Sequence, residues 1–142
     1  MPVTAYLADV VVPVSSPPRR DAAVLVAGDR VVDVVRAAEV PTDAHAVRLG
    51  AVVTPGLVNA HAHLEYGPPF ADLATSGLPF PQWIAELGRR RAAMTEHDWS
   101  VAARGSSHQL LRTGTTAVAD IVTHGPAVGV VRALGLRGVS YG

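Results

Sequence analysis

The stretch TPGLVNAHAHLEY, residues 54–66, places His61 and His63 one residue apart at the end of an apolar run. Side chains on a strand alternate between faces. Leu57, Asn59, His61 and His63 then share one face, and Val58, Ala60, Ala62 and Leu64 the other. The second set is wholly apolar, as a face packed on helices should be. The first turns polar toward its C-terminal end, where parallel α/β structures carry their active sites. Two imidazoles so spaced can both reach one cation at about 2.0–2.1 Å. The competing reading makes both of them core histidines bonded to backbone or to Asn59. A polar end on an otherwise apolar strand favours metal ligation, because burying unpaired polar groups is costly.

The flanking segments must position that strand. Upstream, TAYLADVVVPV reads as a strand cut off by SSPPRR, which suits neither strand nor helix interior. AVLVAGDRVVDVV holds two Val-rich runs around Gly28-Asp29, a two-residue hairpin signal. PTDAHAVRLG reads as a loop into one more short strand, completing a small β region. Downstream, GPPFADLATSGLPFP is a Pro/Gly-rich loop, long enough to suggest function or mobility. PQWIAELGRRRAAM spaces Trp83, Ile84, Leu87 and Met94 as a helix does. Thr95 with Asp98 resembles a capping box for a second helix, ending near Arg112 with Gly114 just past it. TTAVADIVTH predicts a strand, PAVGVVRAL a helix opened by Pro126 and closed by Gly135, and LRGVSYG a last strand. Strand, helices, strand, helix, strand is the order of parallel βαβ units.

Other residues invite weighing. Glu65 and Tyr66 follow the histidine pair directly and are candidate substrate contacts, against the plainer reading of a solvated rim. His124 ends the second strand and could line the same pocket, or sit in solvent on an exposed loop. Asp120 reads as structural, bonding near the strand end. Phe70, Phe80 and Trp83 are candidate pocket walls, with helix packing favoured for Trp83. His45, in a loop, and His97 and His108, on a helix, have no partner at ligand spacing and read as surface residues. Arg89, Arg90 and Arg91 form a short solvated helical face, too brief for a nucleic-acid patch.

Composition narrows the classes. Of 142 residues, 49% are hydrophobic and 17% charged, which suits a domain with a core. Twelve basic and twelve acidic residues cancel, so nothing points to nucleic acid or anionic lipid. The chain has no cysteine, which excludes disulfides and Cys-based zinc sites. Its longest apolar run falls far short of the roughly 20 residues of a membrane span, and the N-terminus lacks a basic leader. A cytoplasmic protein is the expectation.

The run VVTPGLVNAHAHLEY resembles the start of the barrel in the metal-dependent amidohydrolase superfamily, where P-G-[LF]-[VI]-[ND]-x-H-x-H ends the first barrel strand. AVLVAGDRVVDVV resembles the hairpin of the small β-sandwich that precedes that barrel, and LRTGTTAVADI the segment leading into its second strand. HLEY followed by PFPQWIAELGRRR is similar to an aminohydrolase branch that deaminates purine-like and related nitrogen heterocycles, deaminases of aminofutalosine type included. Imidazolonepropionase-like and chlorohydrolase-like relatives share much of this pattern.

The resemblance implies an α/β protein, with part of a small β-sandwich over residues 1–50 and the first βα units of a (β/α)8 TIM-type barrel over residues 51–142. It implies His61 and His63 as two ligands of a divalent metal ion, zinc first and iron second. Such a metal makes bound water acidic enough for hydroxide to attack a carbon attached to nitrogen. Two later histidines, a late aspartate and often a glutamate complete such sites, and none of these positions lies in this sequence. A full barrel takes about 250 residues, so the barrel is expected to be incomplete here and the 142-residue chain alone inactive. The implied enzyme hydrolyses non-peptide C–N bonds in a small-molecule substrate, with no nucleic acid or membrane partner; self-association of the full-length enzyme is an open expectation. The rival expectation is a non-catalytic truncated remnant, and a simple metal-binding module ranks last.

Overall fold

The two Val-rich runs around Gly28-Asp29 pair as the predicted hairpin. β1 (Val3–Val11), β2 (Arg19–Ala27) and β3 (Arg30–Arg36) run antiparallel in turn, while β4 (His45–Arg48) and β5 (Val52–Val53) pair parallel with β1. Gly28 takes φ 61° at the first turn position, a left-handed conformation that glycine adopts at no steric cost. Ala5, Ala8 and Val11 of β1 and Ala22, Ala23 and Leu25 of β2 are buried at the centre of this sheet. The break at SSPPRR is shorter than its composition suggests: Arg19 and Arg20 already pair with Val11 and Val10. Long arginine stems can lie along a sheet with their charged heads in water. His45 opens β4 opposite Thr4 and so lies in a strand, not in the expected loop.

The computed structural model describes residues 2–142. It divides into two compact units, one ending at Pro55 and the other beginning at Gly56. Residues 52–53 stay with the first unit because their hydrogen-bonded partner is β1.

In the second unit β6 (Leu57–Ala62), β7 (Thr115–Ile121) and β8 (Arg137–Tyr141) form a parallel sheet in chain order. Helices α1 (Phe80–Ala93) and α2 (Glu96–Arg112) connect β6 to β7, and α3 (Pro126–Ala133) connects β7 to β8. The capping box is present: Thr95 Oγ1 accepts the Asp98 N–H at 3.2 Å, and the Asp98 carboxylate accepts the Thr95 N–H at 2.8 Å. Gly138 sits at φ 140° in β8, where any Cβ would collide with the Val118 carbonyl of β7. A glycine there lets the two strands approach.

Helices α2 and α3 supply the apolar layer over the sheet. Leu64, Val118, Val131 and Leu136 form one buried cluster, and Ala103, Val122, Ala127 and Val130 a second. The Pro-rich segment expected as a loop winds instead into a 3-10 helix, Pro68–Thr75. Proline suits a first helical turn, and Phe70 and Leu73 lie one 3-10 repeat apart, which puts both on one buried face. They pack on Trp99 of α2, with Trp83, Leu87 and Met94 leaning on the same cluster. Ile84, expected on that face, is 46% exposed, and α1 buries no residue completely. Among the described residues no helix is long and apolar enough to cross a membrane.

Charge ties α1 to the 3-10 segment. Arg90 donates to both Asp72 oxygens at 2.6 and 2.8 Å and to Glu86 at 2.8 Å, while Trp83 Nε1 donates to the Leu73 carbonyl at 3.0 Å. Hydrogen bonds from Arg89 and then Arg90 hold the Glu86 carboxyl down at about 2, and Arg90 lowers Asp72 as well. Carboxyls depressed on folding contribute stability above their unfolded values, and that contribution is lost as pH falls through the folded ones. Protonating Asp72, as the pH falls below its ordinary 3.8, should therefore loosen the 3-10 segment from α1. The indole N–H signal of Trp83 reports it: its exchange should quicken over that window, and Arg90→Ala should quicken it at neutral pH. High salt should weaken the dependence, because the pairs are exposed.

Candidate metal centre

Parallel pairing of β6 with β7 is irregular where it matters. Asn59 lies opposite Val118 and Ala62 opposite Asp120, so β6 spends one residue more than β7 on that interval. The excess residue lies next to His61, whose N–H turns to the Asn59 side-chain oxygen at 3.1 Å. This is the local turn-forming habit of asparagine, placed inside a strand. Beyond Ala62 the chain leaves the sheet: His63 takes φ −130° and ψ 78°, and the Tyr66 N–H donates to its carbonyl at 3.0 Å.

These turns bring the two histidines together. Their ring centroids lie 5.1 Å apart with planes at 74°, and both side chains are open to solvent. Neither therefore behaves as a buried core histidine. The strand's opposite face is covered only at its end: Leu64 is buried and Ala62 partly so, but Val58 is 72% exposed. The expectation that this whole face packs on helices holds for the two residues nearest the histidines.

Tyr66 joins the pair. Its ring stacks on His63 at 5.4 Å, meets Phe70 edge-on at 5.4 Å, and lies 6.1 Å from Trp99. The Arg91 guanidinium sits 5.4 Å from the Tyr66 ring centre, a cation–π contact, and donates to Thr123 Oγ1 at 3.3 Å. His124 is half-buried. Its ring stacks on Trp99 at 4.0 Å with planes 13° apart, beside a shallow cavity of about 270 Å³ lined by Gly88, Arg91, Ala92 and His124. Phe70 belongs to the core, and Phe80 is 73% exposed.

Glu65 points the other way. It is 1% exposed, and its carboxylate accepts from the backbone N–H groups of Thr123 and His124 and from the Thr123 hydroxyl. The solvated rim position expected for it is ruled out by that burial. Asp120, also 1% exposed, accepts the Leu64 N–H through Oδ1 at 2.9 Å, while its Oδ2 is buried without a partner. Burial pushes its carboxyl above the usual range, and nearby Glu65 adds to that, against the Leu64 N–H and His63, which lower it.

Two imidazoles of this kind fit a borderline divalent cation, but a protein zinc site needs at least three ligands. Among the described residues no three His, Cys, Asp or Glu side chains converge on one point. His61 and His63 are thus two exposed imidazoles with no third such side chain beside them among the described residues. Trp99, on which the aromatic contacts converge, was not singled out from sequence. Its signal was the small-residue stripe Ala102, Ala103 and Ser107 on the same buried side of α2.

Residues 52–137 match the family model for the amidohydrolase family, and the chain belongs to that family. A 5-methylthioadenosine/S-adenosylhomocysteine deaminase of Thermococcus kodakarensis is 34% identical over 122 residues, covering 84% of this chain and 28% of the deaminase. The chain thus spans little more than a quarter of that relative. An atrazine chlorohydrolase mutant from Arthrobacter aurescens TC1, complexed with zinc and atraton, superposes with a TM-score of 0.78 at 20% identity, covering 96% of this chain and 35% of the other. The aminofutalosine deaminase of Helicobacter pylori gives 0.71 at 19% identity, covering 97% and 34%. At such identities the two structures speak to fold alone: a mixed α/β architecture shared with the barrel enzymes of the family.

The aromatic contacts make a prediction. Trp99→Ala should cost about 3–5 kcal/mol, the usual range for deleting a buried tryptophan. Chemical denaturation measures it, and the His124 ring protons should lose the upfield shift of a stacked imidazole.

Proposed function

We propose that this chain carries the first two metal-ligating histidines of a hydrolase of non-peptide C–N bonds that deaminates a nitrogen heterocycle. The observation that carries this reading is the His61–His63 pair, with rings 5.1 Å apart in the open at the C-terminal end of a parallel strand. Family membership and the 34% identity to a deaminase of adenine-containing substrates support it. In this reading β6, β7 and β8 open a (β/α)8 barrel, incomplete over these residues, and residues 1–50 contribute part of a small β-sandwich.

His61 and His63 would hold a divalent cation, zinc first, whose charge polarises an oxygen ligand and eases loss of its proton near neutral pH. The chain's own residues do the rest of the work visible here. Neutral imidazoles supply the two donors. Tyr66 stacks on His63 and shields one of its faces from water. His124 and Tyr66 are the residues proposed to meet the substrate, His124 from the cavity that it lines with Gly88, Arg91 and Ala92. Glu65 has its carboxylate committed to Thr123 and His124 at the β7 exit.

Ligands beyond these two are needed for turnover, so the 142 residues alone should bind a cation weakly and not deaminate.

Zinc titration of the chain by calorimetry tests the site. The parent should show saturable binding, and His61→Ala and His63→Ala should each weaken it by more than about tenfold, or about 1.4 kcal/mol. Circular dichroism should be unchanged, since both rings are exposed. Equal zinc affinity in parent and both variants would sink the assignment.

A further inference from the structure

Glu65 and Asp120 are the two acidic side chains buried to 1% exposure, and among the described residues neither has a cationic partner in an ion pair. A carboxylate taken out of water without a counter-ion is costly, so what each one bonds to is informative. Asp120, near the end of β7, accepts the N–H of Leu64, the first residue after His63. Glu65, just after β6, accepts the Thr123 N–H at 3.2 Å on each oxygen and the His124 N–H at 3.1 Å, together with the Thr123 hydroxyl. The bonds cross: the carboxylate from the β7 side holds the exit of β6, and the carboxylate from the β6 side holds the exit of β7.

Each exit carries one of the histidines already discussed, and each histidine is fixed a second time through its ring. His63 has its following peptide held by Asp120 and its ring stacked on Tyr66 at 5.4 Å. His124 has its amide held by Glu65 and its ring stacked on Trp99 at 4.0 Å. Core packing alone would not call for this arrangement, since the apolar clusters beneath already join α2 and α3 to the sheet.

We infer that Glu65 and Asp120 are positioning residues, a crossed pair of carboxylates that presets His63 and His124 on one rim before any ligand arrives. The inference rests on the functional reading of those two histidines above. The two carboxylates differ in what they tolerate. Asp120 receives a single N–H, so an asparagine can replace it through its side-chain oxygen. Glu65 receives three donors, and a glutamine would turn an NH2 group against some of them.

The test is proton NMR on the metal-free chain. In the parent, the Thr123 and His124 amides should exchange far more slowly than loop amides such as Gly77, and the His124 ring protons should lie upfield of those of His97. Glu65→Gln should speed the His124 amide by about tenfold or more, as for loss of a hydrogen bond to a charged group, and return the ring shifts toward those of His97. Asp120→Asn should keep the Leu64 amide protected, while Asp120→Ala should release it. The inference is overturned if the parent's Thr123 and His124 amides exchange at loop rates, a measurement that stands even if Glu65→Gln fails to fold. It is equally overturned if that variant folds and leaves the His124 ring shifts unchanged. Zinc titration of the same samples separates the two claims: an intact clamp without zinc binding at His61 and His63 refutes the cation reading alone, and the reverse refutes the clamp alone.

Discussion

Everything at the rim of the second unit depends on how β6 leaves its pairing with β7. A parallel ladder has evenly spaced bonds, and one surplus residue before Ala62 interrupts them next to His61. The freed N–H is taken by the Asn59 side-chain oxygen. A regular strand would place His61 and His63 on one face, separated by the strand repeat of roughly 6.6–6.8 Å. At this irregular exit their rings lie 5.1 Å apart with planes at 74°.

Below that rim the energetics are ordinary. Small residues on α2, Ala102, Ala103 and Ser107, let the helix lie close to its neighbours, and Trp99 fills the space that they leave at one end. A buried tryptophan carries enough apolar area to anchor several elements at once. Here it meets Phe70 from the 3-10 segment, Tyr66 from the β6 exit and His124 from the β7 exit. The segment between β6 and α1 is therefore held by its own side chains, although its Pro and Gly content reads as a loop.

Much of this was legible in the sequence, and for physical reasons. The Thr95 cap, the Gly114 stop and the Gly28 turn are local, so residue identity decides them. Parallel pairing of the three strands follows from their alternation with helices. Less legible were features decided across long separations. Glu65 bonds residues 58 and 59 positions away, and nothing in HLEY distinguishes a rim carboxylate from a buried one. His124 reads as a loop residue because Trp99, its stacking partner, is distant in sequence. Ile84 fits the helical spacing yet faces outward, since spacing names a stripe without naming what covers it. Period-2 alternation likewise assumes a ladder without a surplus residue, and Asn59 was the one local hint that β6 has one.

Two constraints per histidine is more than a surface residue needs. One constraint fixes a backbone amide, which sets where the side chain starts, and the other fixes a ring plane, which sets where its nitrogens point. A cation bound by a flexible His63 must freeze both at its own expense, because an ordered side chain gives up rotamer freedom. Freezing them in the folded protein moves that cost from binding to folding, where the clusters around Leu64 and Ala103 can bear it. Buried carboxylates suit this task because they accept several donors at once and stay fixed only while those donors are in place. The unpartnered Oδ2 of Asp120 is the part of the arrangement that packing does not explain. The other oxygen of the same carboxylate holds the peptide next to His63.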